Sequence, residues 1–103
     1  MDRATAKKLA AQYAEEVRKV FDPFSIVLYG SYVNGTPTDY SDIDIAVVFD
    51  GYDGNWQEDI ATLWRMTRKV CLLIEPILLD RAKESYGMVE GIFQSGEILY
   101  QAG

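Results

Sequence analysis

The sequence predicts a small α/β (α+β) domain with a mixed β-sheet and helices packed on one side. Two segments, residues 3–21 and 55–71, repeat their apolar residues with the period of a helix. Shorter apolar runs between and after them have the length and the bounding turn residues of strands. At 103 residues the chain can bury about 65 % of the surface that it exposes when unfolded, so we expect one domain over residues 1–103.

The predicted helices have start signals as well as periodicity. Asp2 or Thr5 can cap the first helix, and Asn55 can cap the second. A third, weaker helix is predicted over residues 83–94. The apolar stripes predicted to be buried are Leu9, Tyr13, Val17 and Val20 in the first helix, Trp56, Ile60, Leu63, Trp64, Thr67 and Cys71 in the second, and Tyr86, Val89, Ile92 and Phe93 in the third.

Three strands are predicted from apolar runs of five to eight residues. They are Ser25–Tyr29, Ile43–Phe49 and residues 72–79, and residues 98–100 add a short strand or a docked tail. Pro76 cannot donate a ladder hydrogen bond, which favours an edge position for the third strand. The order helix, strand, turn, strand, helix, strand, helix is typical of a layered domain whose sheet keeps one side free for chemistry.

The turn between the first two strands carries the most specific pattern of the chain. Asp42 and Asp44 are two residues apart at the start of the second strand, so their side chains project from one face. Their Cα atoms are then roughly 7 Å apart, a distance that two carboxylates can bridge through a hard divalent cation. Such a site suits Mg²⁺, which binds one or two carboxylates together with substrate phosphates.

The first half of the same turn is predicted to form a phosphate-binding position. Gly30 ends a strand without a side chain, and Ser31 follows where a short helical turn can begin. Backbone N–H groups at such a turn attract anions. Gly35 then permits a left-handed or a crowded backbone conformation before the chain returns.

One acidic residue interrupts the third apolar run. Glu75 has two interpretations: an exposed residue of an edge strand, or a third carboxylate for the metal site. Asp80 is the alternative third carboxylate, although at the end of a strand it is in position to cap the segment that follows.

Composition excludes several classes of function. Histidine is absent and Cys71 is the only cysteine, which removes histidine-dependent catalysis and internal disulfides. A net charge of −6 argues against extended DNA or RNA binding, which needs clustered basic residues. Because there is neither a membrane-length apolar run nor the apolar core of a signal peptide, we expect a cytoplasmic protein without membrane contact.

Residues 30–44 resemble the signature of nucleotidyltransferases of the DNA polymerase β superfamily. In that signature Gly-Ser is followed, at a spacing like the ten residues found here, by Asp-x-Asp on a strand. The ending Ser95-Gly96-Glu97-Ile98-Leu99-Tyr100 also resembles the family's closing segment. The similarity is greatest to the minimal nucleotidyltransferases, which are often encoded beside helical HEPN proteins. One departure is the turn itself, where Tyr32 and Asn34 stand in place of the arginines of many members.

The resemblance implies a site, a reaction and a partner. Asp42, Asp44 and Glu75 would be the catalytic residues and hold one or two Mg²⁺ ions, and Gly30, Ser31, Gly35 and Ser41 would bind a nucleoside triphosphate. The reaction would transfer a nucleoside monophosphate, AMP from ATP, to a hydroxyl acceptor. By resemblance the acceptor is a tyrosine of a cognate HEPN toxin, so that the protein acts as an antitoxin.

Two other functions fit the same residues. A catalytically weak binding module would neutralise a HEPN partner by forming a complex, and the absent arginines favour it. A drug-modifying transferase is the third interpretation, but such an enzyme normally needs additional chain to build a substrate pocket.

Overall fold

A computed structural model describes residues 1–38, 40–84 and 87–103. Its elements are α1 (Arg3–Val20), β1 (Ser25–Tyr29), α2 (Ser31–Asn34), β2 (Ile43–Phe49), α3 (Trp56–Met66), β3 (Ile74–Asp80), α4 (Met88–Ser95) and β4 (Glu97–Gln101). A short 3-10 turn, Thr67–Lys69, continues α3. The mixed α/β fold predicted from the sequence is confirmed, and the tail after Gly96 forms a strand.

The four strands form one mixed sheet in the order β3-β2-β1-β4. β1 pairs with β2 and with β4 in antiparallel fashion, whereas β2 and β3 are parallel. β3 is therefore an edge strand, as Pro76 predicted. The parallel pair requires a crossover, which α3 provides.

The first face of the sheet is covered by α1 and α3. From β1 and β2 this face presents Ile26, Leu28, Ile43, Ile45 and Val47, which pack with side chains of both helices. The Tyr13 hydroxyl of α1 donates a hydrogen bond of 2.7 Å to the Leu63 carbonyl of α3, which joins the two helices over the core. Both predicted caps are present, with Asp2 accepting from the Thr5 N–H and Asn55 from the Glu58 N–H.

The second face is covered only in part, by α4. Val89 and Ile92 of α4 pack on Val27, Ala46 and Val48. The prediction of helices on one side is right for α1 and α3, and α4 adds a helix on the side that the sequence left free. α4 also begins at Met88 rather than near residue 83, after the left-handed Gly87, and the Glu84 side chain accepts from the Met88 N–H. The predicted stripe residue Tyr86 lies outside the described residues.

Some apolar residues predicted to be buried are exposed. Trp56 and Trp64 of α3 are 55 % and 45 % exposed, and Val20 at the end of α1 is 60 % exposed. Leu63 and Thr67 of the predicted stripe are buried, and Met66, which was not predicted, adds to the buried face of α3. Within the described part of the chain, no helix is both long enough and apolar enough to cross a membrane.

Candidate active site

Three strands bring one residue each into a row on the second face of the sheet. Tyr29 of β1 pairs with Asp44 of β2, and Asp44 pairs with Glu75 of β3. Directly paired residues of neighbouring strands project to the same side, and the strands are about 4.8 Å apart. Asp44 is half-buried and Glu75 is exposed. The row lies on the face that carries Ala46 and Val48 rather than on the face covered by α1 and α3.

Asp42 precedes β2 and adds a third acidic group to this row. Burial raises the pKa of the Asp44 carboxyl, and the negative charge of Asp42 raises it further. The pKa of Glu75 is raised by desolvation first, then by the charges of Asp42 and Asp44, and by a hydrogen bond with Asp42. The charge of Asp42 thus disfavours ionisation of both Asp44 and Glu75, which requires the three carboxyl groups to lie close together.

The chemistry of this donor set fits a hard divalent cation. Carboxylate oxygens are the ligands that Mg²⁺ prefers, and a cation among three mutually repelling carboxylates would replace repulsion with attraction. Among the described residues, however, no group of three or more acidic, cysteine or histidine side chains already has the spacing of a metal site. The strands thus bring the carboxylates together, and their side chains would have to turn inward to share an ion.

Gly30 lies against the central carboxylate of the row. Its φ of 81° and ψ of −148° are in a region that residues with a side chain rarely adopt. A Cβ atom at this position would overlap the Asp44 carboxylate, with the Asp44 Cγ only 3.1 Å away. The sequence predicted close approach of a ligand at Gly30, whereas in the structure the group that approaches is the side chain of Asp44.

The phosphate-binding position predicted at Ser31 corresponds to the single-turn helix α2. The Gly30 carbonyl accepts hydrogen bonds from the N–H groups of Val33 (3.0 Å) and Asn34 (2.9 Å). The first N–H groups of a helix have no partner within it, so Ser31 begins the turn with donors available to a ligand. Nucleotide binding by Ser31 stays a prediction.

The rest of the turn is held by contacts within the protein. Gly35 has an ordinary φ of −109°, so its left-handed alternative is wrong, but it is crowded: a Cβ would lie 3.1 Å from the Ser31 Cα. The Ser41 hydroxyl accepts a 2.8 Å hydrogen bond from the Thr38 N–H and so closes the return loop. Arg3 of α1 donates to the Gly35 carbonyl.

Tyr32 anchors the turn to the core. Only 3 % of the residue is exposed, and it belongs to the cluster that α1 and α3 form with the first face of the sheet. In place of an arginine facing a ligand, this chain has an aromatic ring that holds the turn against the domain. A basic contact to the turn comes from α1, where Arg3 donates to the Gly35 carbonyl.

Asp80 does not belong to the site. It pairs with Phe49, five residues along β3 from Glu75, which places it about 17 Å away at the other end of the sheet. Burial raises its pKa, but three backbone donors, the N–H groups of Gly51, Tyr52 and Ala82, outweigh that effect and lower the pKa overall. Asp80 therefore organises the loop after β2, and its assignment as the third carboxylate is wrong.

Tyr29 is the site residue that the sequence analysis missed. Burial raises the pKa of its phenol, and the charges of Asp44 and Glu75 raise it further, so the hydroxyl lies near both carboxylates. Alternation along β1 places Tyr29 on the same side as Val27, but only the pairing of β1 with β2, and of β2 with β3, shows that this side carries the acidic row.

A cavity on the second face lies away from this row. A volume of about 550 Å³ opens beside α4 at the opposite end of the second face. Its apolar lining comes from Phe24, Val89, Phe93 and Ile98. Since Phe24 precedes β1 and Tyr29 ends it, the length of that strand separates the cavity from the carboxylates. The acidic row is instead an open surface beside the turn.

Comparison with known families adds to the geometry of the site. The family model for polymerase β nucleotidyltransferases matches residues 11–102 of the chain. The chain belongs to this nucleotidyltransferase family. A search of curated protein sequences finds no significant match.

Two solved structures share the fold. A protein from Sulfolobus solfataricus, provisionally named a nucleotidyltransferase, is 25 % identical, with a TM-score of 0.71 over 96 % of this chain and 83 % of that one. A chain from a mutant of the toxin–antitoxin structure MntA-HpeT is 22 % identical, with a TM-score of 0.63 over 88 % of this chain and 72 % of that one. The mutant replaces two aspartates, two positions apart, with glutamates. At this identity the second match supports the fold alone.

Proposed function

We propose that this nucleotidyltransferase transfers a nucleoside monophosphate, AMP from ATP, to a hydroxyl group. The observation that supports the proposal most is the pairing of Asp44 with Glu75, with Asp42 two residues away, in a member of the polymerase β family. A protein without catalysis has no evident need for three acidic groups placed so close together that, in addition to burial, the charge of Asp42 raises the pKa values of Asp44 and Glu75.

In this proposal the three carboxylates would hold Mg²⁺, as one or two ions. The ions would supply positive charge that draws electrons from the α-phosphorus as it is attacked. Ser31 and the backbone around Gly30 hold the outgoing phosphates. Gly35 and Ser41 maintain the shape of the turn and line its ligand side.

The chemical step forms one bond and breaks one. The acceptor oxygen bonds to the α-phosphorus, and the bond from that phosphorus to the bridging oxygen of the β-phosphate breaks, which releases pyrophosphate. Glu75 takes the proton of the acceptor hydroxyl, a role favoured by its raised pKa and by its exposed position at the sheet edge.

The acceptor that we propose is a tyrosine of a HEPN toxin, which modification would silence. The resemblance of residues 30–44 to the minimal nucleotidyltransferases suggests this partner, and the chain shares its fold with a chain of a toxin–antitoxin structure. The open position of the acidic row supports an acceptor carried on another protein, because an exposed carboxylate is accessible to a large substrate. We place the activity in the cytoplasm, where a free Cys71 is stable.

A second function, neutralisation of the partner by binding alone, is favoured by a separate observation. Trp56 and Trp64 of α3 are both about half exposed, and large exposed aromatic residues are typical of protein interfaces. This binding module would need neither metal nor nucleotide.

Labelled ATP separates the two functions. The protein is incubated with Mg²⁺, a HEPN protein encoded beside it, and ATP labelled either at the α- or at the γ-phosphate. Nucleotidyl transfer predicts label on the partner from the α-position alone, with release of pyrophosphate. A stable complex that never acquires label would overturn catalysis and support the binding module, and label from the γ-position would identify a kinase instead.

A further inference from the structure

Tyr29 completes the row of side chains on the second face, next to the turn that begins at Gly30. We infer that its hydroxyl donates a hydrogen bond to a phosphate oxygen of the bound nucleotide. The inference rests on the proposed function and adds a binding residue to it.

The ring of Tyr29 is held in place by packing. It is half-buried and contacts the apolar cluster that α4 forms with β1 and β2, which includes Val27, Ala46 and Ile92. A phenol supported in this way has few alternative positions, so little conformational entropy is lost when its hydroxyl binds a ligand.

The hydroxyl of Tyr29 is available for such a contact. Among the described residues it has no hydrogen-bond partner, whereas the hydroxyls of Tyr13 and Tyr52 each have one. A tyrosine hydroxyl has an ordinary pKa of about 10, so it carries its proton and can donate at neutral pH. A donor with no protein acceptor, held beside carboxylates, calls for a ligand rich in acceptor oxygens.

Phosphate oxygens meet that requirement. Tyr29 directly precedes Gly30 and Ser31, where the turn offers backbone donors, and it pairs with Asp44, where a cation would sit. A triphosphate spanning these positions would present only acceptor oxygens to the phenol.

The test compares Tyr29→Phe with the native protein by calorimetric titration of α,β-methylene-ATP in the presence of Mg²⁺. This analogue cannot undergo the transfer reaction, so the measurement reports binding alone. We expect Tyr29→Phe to weaken binding about ten-fold, at the low end of what a hydrogen bond to a charged group contributes. Without ligand its melting temperature should match that of the native protein, because the ring is kept and no internal hydrogen bond is lost.

Tyr52→Phe is the matched control. It removes a hydroxyl that donates to Asp59 at the far end of the sheet, so it should lower the melting temperature and leave the affinity for the analogue unchanged. Inorganic triphosphate serves as a second probe, and a phosphate contact predicts the same ten-fold loss with it.

The outcomes are distinguishable. If Tyr29→Phe binds the analogue as well as the native protein does, this inference is overturned and the proposed function stands. A loss seen with the nucleotide but not with inorganic triphosphate overturns the phosphate contact. Native protein that fails to bind either probe overturns the proposed function, and the inference with it.

Discussion

Replacing Gly30 by alanine should strain the backbone locally and displace the carboxylate of Asp44, the central acidic group of the site. The backbone there has a φ of 81°, and a new Cβ would overlap the Asp44 carboxylate. The conformation alone costs a residue with a side chain about 1–3 kcal/mol, and an overpacked contact adds roughly 1–3 kcal/mol. Asp44 would have to move, so we expect the loss of nucleotide transfer to exceed what the loss of stability explains.

Gly51 provides a control with the same sign of φ and no crowding. Its φ is 83°, and nothing lies within 4 Å of a Cβ built on it. Gly51→Ala should cost about 1–2 kcal/mol from backbone strain alone. Urea denaturation of both variants gives the difference, which we expect to be about 2 kcal/mol larger for Gly30→Ala because of the added contact.

A double-mutant cycle tests the cause directly. Removing the carboxylate with Asp44→Ala should relieve the overlap, so Gly30→Ala should cost about 1 kcal/mol less in that background. Strictly additive free energies of unfolding, or equal costs for Gly30→Ala and Gly51→Ala, would show that the Asp44 carboxylate does not crowd residue 30.

Two further predictions concern the acidic groups. At pH values above 6, Glu75→Gln should raise the melting temperature of the metal-free protein by roughly 2–4 °C. It should also diminish the stabilisation given by Mg²⁺ with nucleotide. Identical responses of the variant and the native protein to the metal would exclude Glu75 as a ligand. The melting temperature should rise because the pKa values of Asp44 and Glu75 are raised in the folded protein. The stability of the native protein therefore falls as the pH rises from the ordinary pKa values of 3.8 and 4.5 to the raised ones. A pH series of thermal melts should show a smaller fall for the variant. Asp80→Ala should lower the melting temperature because three backbone donors lose their acceptor. Transfer activity per folded molecule should be unchanged. A loss of that activity would show that Asp80 belongs to the site.

The strands and the turn could be predicted because local chemistry determines them. Alternation predicted that Asp42, just before β2, and Asp44 project to the same side, and a short helical turn was expected to begin at Ser31, where α2 begins. Pro76 indicated the edge strand for the same kind of reason. The choice of Glu75 over Asp80 needed the parallel register of β2 and β3, which no local pattern contains.

The helices show what periodicity leaves open. An apolar stripe predicts that a helix packs, but not on which face of a sheet, so α4 could not be placed on the second face. Successive helix residues point about 100° apart, and with Leu63 at the centre of the buried face Trp64 points to the flank of α3. Trp56 is the first residue of α3, where the core covers less of the helix.

Asp44→Asn tests whether the acidic row performs nucleotide transfer. The substitution removes one charge and keeps the volume of the side chain, so the folded structure should persist in circular dichroism and thermal melts. With α-labelled ATP, Mg²⁺ and the partner protein, we expect transfer by this variant to fall to background. Undiminished transfer by folded Asp44→Asn would exclude the acidic row from the reaction.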